Sequence, residues 1–137
     1  MKLLLLITAA LEAGAGVALL VFPSATVVLL LAGPLETSAA MTLGRVAGVA
    51  LLALGVANWF AQYDVQSDAA KGLVGAMVVY NLGAVAILGT AGILSQPVGI
   101  ALWPGVVVHA AMAVWCVMCL LRSPGAKAAS GSDANLL

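Results

Sequence analysis

The strongest constraint on this chain is its first stretch, Leu3 to Phe22. It is apolar for about 20 residues, the length that crosses a bilayer core, and Glu12 is its one charged interruption. The stretch imitates a secretory signal, with Lys2 as the charged start and Ala13-Gly14-Ala15 as a small-residue cleavage site. Apolar character continues past that site through Phe22, so it reads as an uncleaved membrane span stopped by Pro23. Three more such runs follow, at about 39–62, 69–94 and 103–122. A chain that is 64% hydrophobic and 7% charged cannot cover a water-facing surface. The reading is therefore an all-α, four-helix transmembrane bundle in one membrane domain, residues 1–122. Residues 123–137 read as a disordered tail, being small, polar and without helical period.

The segments between spans carry their own signals. Pro23 to Ala32 is too short to cross and closes on Gly33-Pro34, which predicts a short interfacial helix between spans one and two. Thr37 and Ser38 can cap the second span, and Asp68 is placed to cap the third. Trp59, Phe60 and Tyr63 gather at one membrane boundary, and Trp103-Pro104 opens the fourth span. Lys2, Lys71, Arg122 and Lys127 all fall on one side of a four-span arrangement, and the opposite loops have no Lys or Arg. The positive-inside rule then puts both termini in the cytoplasm. Five basic and five acidic residues balance, so no charge field recruits nucleic acid; the bilayer is the obligatory partner.

Each span also holds polar residues that a lipid-facing helix avoids: Glu12, Arg45, Tyr80 with Asn81, and His109. By helical rise, Arg45 and His109 lie ~8–9 Å inside the outer ends of their spans, while Glu12 lies ~15 Å below Phe22 and Asn81 ~15 Å above Lys71, both near the middle of a ~30 Å core. One polar group from each helix can converge in the outer half of the bundle. Arginine stays charged at any accessible pH and needs a partner or water in a membrane. Glu12, on the consecutive antiparallel span, is its natural counter-charge, and Gly16 and Gly48 permit close approach.

Two readings of this constellation stay open. Buried polar groups can simply hold a bundle in register. Alternatively they line a pocket for a small apolar or anionic ligand, or a proton path. A lone histidine supplies one ligand, so neither a metal nor another cofactor is called for. Cys116-Val-Met-Cys119 has the CxxC spacing of thiol oxidoreductases, but it sits near a helix C-terminus, the unfavourable end for a thiolate. No P-loop, HExxH or GxSxG occurs. The balance leans away from an enzyme.

Taken in order, several features form a pattern. They are Glu12 followed by Gly14, Phe22-Pro23, the Gly33-Pro34 break, Arg45-x-x-Gly48, Trp59, and Trp103-Pro104 with His109 behind it. Over most of residues 1–122 this resembles the small bacterial four-span proteins of the DoxX-like type. The resemblance implies a four-helix bundle in a bacterial inner membrane. It also implies a second function to weigh, an accessory or scaffold subunit of a quinone-linked redox complex, as a homo-oligomer or with other chains. It carries over no catalytic residues.

Overall fold

A computed structural model describes residues 1–95 and 97–122; the tail read as disordered lies outside the described residues. Five helices follow in order: α1 (Lys2–Val21), α2 (Pro23–Leu31), α3 (Ser38–Ala61), α4 (Asp68–Leu94) and α5 (Leu102–Arg122). All but α2 are long and apolar enough to cross a membrane. Leu43, Val79, Ile87 and Leu94 are among many large apolar side chains left open on the outside. With hydrocarbon as solvent that exposure is stabilising, and the chain is a multi-pass membrane protein.

The helix ends follow from local chemistry. Pro23 ends α1 and opens α2, where its missing N–H is harmless. The turn into α3 is fixed by Thr37, whose hydroxyl accepts the Ala40 N–H at 3.1 Å. The cap of α4 corrects the expectation for Asp68. Ser67 is the capping residue, accepting the Ala70 N–H at 3.2 Å and donating to the Asp64 carbonyl at 2.8 Å. Asp68 becomes the first helical residue and pairs with Lys71 at 3.3 Å, where its charge suits the helix N-terminus.

The bundle is built from two antiparallel hairpins. In the first, α1 lies directly against α3, because both present small residues at the crossing. A Cβ on Gly48 would stand 2.8 Å from the Gly16 carbonyl oxygen and 2.7 Å from the Leu20 nitrogen. Farther along, a Cβ on Gly55 would stand 3.0 Å from the Ala13 nitrogen. Backbone-to-backbone packing of this kind drives association where no hydrophobic effect separates helices from lipid. The second hairpin is α4 with α5, closed where Leu102 and Trp103 lie over Gly92.

The hairpins meet at the end that carries Lys2. Leu4 and Leu5 of α1, Val74 and Met77 of α4, and Met112 and Cys116 of α5 form one closed apolar core there. At the other end α2 bridges the hairpins. Its last carbonyls, on Leu29 and Leu30, accept the N–H groups of Ala101 (2.9 Å) and Gly99 (3.1 Å) from the loop before α5. Only glycine permits this, since a Cβ at residue 99 would run into the Leu29 carbonyl.

Candidate functional site

One turn above the apolar core, the side chains facing between the hairpins turn polar. Thr8 and Glu12 of α1 are four residues apart and so share a face; both are buried. Helix α4 supplies Tyr80 and Asn81, and α5 supplies His109. The Tyr80 hydroxyl donates to the Glu12 carboxyl group, linking the two hairpins. The Asn81 amide nitrogen donates to the Met77 carbonyl at 2.7 Å, which leaves its oxygen as an acceptor. His109 Nδ1 lies 2.8 Å from that oxygen. It must therefore carry a hydrogen and donate, so in the neutral ring the Nε2 lone pair is the free acceptor. The Tyr80 and His109 rings meet edge to face, with centroids 5.6 Å apart. Four of the five polar residues picked out in the sequence thus form one interlocked group.

The fifth does not join it. Arg45 is exposed on the outer surface of α3, and among the described residues it makes no ion pair. The expected Glu12–Arg45 pair is replaced by Glu12–Tyr80. The cause lies in the glycine crossing. Helices α1 and α3 touch along Ala9, Ala13 and Gly16 on one side and Gly48 and Gly55 on the other. Arg45 stands three residues before Gly48, about 60° of rotation off that stripe and exposed, while Glu12 faces the second hairpin, so the two side chains leave the crossing in different directions.

The polar group lines a cavity of about 170 Å³ whose walls include Thr8, Glu12, Tyr80, Asn81 and His109. Leu11 of α1 and Val108 of α5, both about half exposed, flank it. A larger apolar cleft of about 520 Å³ runs from there toward the α2 end. Leu19, Thr26, Leu30, Leu51, Gly83 and Ile87 contribute to its walls. Ala15, Tyr80 and His109 line both spaces, so the cleft has a polar floor. Neither space has a Lys or Arg among the described residues that line it.

Besides Thr8 in the site itself, two further polar residues that sequence reasoning passed over are buried. Asn58 is completely enclosed, donating to the Leu54 carbonyl at 2.9 Å and to Met77 Sδ at 3.6 Å. Gln62, one turn on, is buried as well; Asn58 Oδ1 and Gln62 Nε2 have no hydrogen-bond partner. A signal existed, since Asn58 stands three residues beyond Gly55 on the inward stripe of α3.

Neither cysteine is in a disulfide, and Cys116 is 1% exposed within the apolar core against Leu4 and Leu5. No group of three or more His, Cys, Asp or Glu side chains able to hold a metal occurs among the described residues. No protein-family model, curated protein or solved structure matches the chain.

Proposed function

We propose that this is a non-enzymatic protein of a bacterial inner membrane, with both termini in the cytoplasm. It holds a small, largely apolar molecule by a hydrogen-bonding head between the two hairpins. The observation that carries this reading is the continuity of the polar cavity with the apolar cleft through Tyr80 and His109. An engineered apolar cavity of about 150 Å³ admits benzene, so the polar space alone accommodates a ring-sized group. The remainder of the ligand lies in the cleft. Glu12 and the free Nε2 of His109 favour a head group that donates hydrogen bonds. With Arg45 outside, no permanent cation favours an anion there. A proton path is the weaker reading, because the apolar core of Leu4, Leu5, Val74, Met77 and Met112 lies between Glu12 and the Lys2 end, and Asn58 and Gln62, the buried polar side chains beside that core, do not titrate.

An accessory subunit of a membrane redox complex is the second reading. It is favoured by an apolar groove of about 360 Å³ on the outer side of the α1–α3 crossing, lined by small residues and Trp59. Native mass spectrometry of the detergent-purified protein separates the two. The first reading expects a small-molecule adduct that Tyr80→Phe and His109→Ala each reduce. A co-purifying protein chain without such an adduct would overturn it. Maleimide labelling of Ser130→Cys, in a chain lacking Cys116 and Cys119, checks the orientation; labelling from the periplasm would reverse it.

A further inference from the structure

A guanidinium on the lipid-facing surface of a membrane span needs an anion, and none of the described residues supplies one to Arg45. We propose that Arg45 binds the phosphodiester of a membrane phospholipid in the leaflet at the α2 end. The site is separate from the cavity between the hairpins and does not depend on that cavity having a ligand.

Geometry identifies the phosphate as the occupant. Helix α3 has 24 residues, about 36 Å of helix against a hydrocarbon core of about 30 Å. Arg45 lies seven residues inside Ser38, about 10 Å along the axis. With α3 centred, its Cα stands ~7 Å below the head groups, within the span of an extended arginine side chain. Side chains on a helix lean toward its N-terminus, and the N-terminus of α3 is the nearer boundary. The side chain therefore rises toward the phosphate layer.

Chemistry agrees with this. A guanidinium offers a planar fork of donors that matches two phosphate oxygens, and it cannot lose its charge to escape the membrane. The only acidic residue at this end of the bundle among those described is Glu36, which is exposed and unpaired with Arg45. The other basic side chains that the structure describes, Lys2, Lys71 and Arg122, belong to the opposite end. Arg45 is thus the one fixed cation offered to this leaflet among the described residues. Its exposed neighbours Thr42, Val46 and Val49 leave the surface open for acyl chains to lie alongside.

The test is a lipid titration of the delipidated, detergent-solubilised full chain, read by native mass spectrometry. Phosphatidylglycerol, phosphatidylcholine and diacylglycerol are compared on wild type, Arg45→Lys and Arg45→Gln, with inorganic phosphate as competitor. Both phospholipids should bind wild type, phosphatidylglycerol the tighter, and diacylglycerol should bind more weakly. Arg45→Gln should lose about tenfold or more for the phospholipids, the usual scale for a charge-assisted hydrogen-bonded contact, and nothing for diacylglycerol. Arg45→Lys should fall between, keeping the charge but not the fork. Millimolar inorganic phosphate should displace little lipid, since the acyl chains hold it in place. Equal phospholipid affinity in wild type and Arg45→Gln would overturn the proposal. So would a wild-type dimer that Arg45→Gln dissociates at unchanged lipid binding, because the anion would then come from a second copy. Loss of the small-molecule adduct in the cavity variants leaves these outcomes unchanged, so the two sites stand or fall separately.

Discussion

The α1–α3 crossing is the firmest basis for a quantitative test. Substituting Gly48 by Ala adds a single methyl group. That carbon would stand 2.7 Å from the Leu20 nitrogen and 2.8 Å from the Gly16 carbonyl oxygen, both backbone atoms that no rotamer change can move. Ordinary contact begins near 3.4 Å, so the helices must separate by roughly 0.6–0.7 Å along that line. Separation also loosens the nearby Leu52 and Gly55 packing. Overpacking of this kind costs about 1–3 kcal/mol. At about 3–5 °C per kcal/mol for a domain of this size, the melting temperature should fall by about 3–15 °C. Gly14 supplies the control two residues from Gly16. A Cβ there meets nothing within 4 Å, so Gly14→Ala should be neutral or stabilise by up to ~1 kcal/mol through helix propensity. The assay is thermal unfolding in one detergent, followed by circular dichroism and by size-exclusion recovery after heating. If Gly48→Ala melts with Gly14→Ala, the close backbone approach does not hold the hairpin together, and the reasoning fails.

Three further outcomes are expected. Glu12→Gln and Arg45→Met should change thermal stability additively, whereas Glu12→Gln and Tyr80→Phe should couple by about 0.5–3 kcal/mol; double-mutant cycles in detergent decide between the pairs. Asn81→Leu leaves the His109 Nδ1 hydrogen without its acceptor and should cost about 1–3 kcal/mol, with a wild-type melting temperature counting against the network. Cys116→Ala together with Cys119→Ala should preserve fold and adduct, and in wild type maleimide should reach Cys119 well before Cys116; a fast Cys116 would reopen the thiol reading.

The spans and the short second helix were legible because length, Pro23 and the Gly33-Pro34 break act on the chain locally. The depths of Glu12, Asn81 and His109 were legible too, because helical rise converts residue number into height. Rotation about each axis was not. On a helix that is apolar nearly all round, hydropathy gives no preferred inward side, and depth alone made Arg45 look like the partner of Glu12. The side that turns inward is chosen by where backbones come closest. Gly48 and Gly55 set that for α3, which sends Arg45 outward and Asn58 inward. The Ser67 cap was missed for a smaller reason: Ser and Asp are nearly equal at that position, and the Asp64 carbonyl that accepts from Ser67 lies in a turn whose shape the sequence does not display.

The bonds from Gly99 and Ala101 to the end of α2 bear on the order in which the chain assembles. Until the loop before α5 has left the ribosome, the Leu29 and Leu30 carbonyls lack the partners they have in the finished bundle. The first hairpin can close by itself through its glycines, but α2 is finished only when the last hairpin arrives. The seam between the halves is thus sealed late, and from the side opposite the turn that joins α3 to α4. A chain severed in that turn, between Tyr63 and Ser67, would yield two fragments that each keep their own helix pair. Co-expressed, they should find one another through the α2 seam and the Leu4–Met77 core, and a Gly99→Leu second fragment should do so poorly.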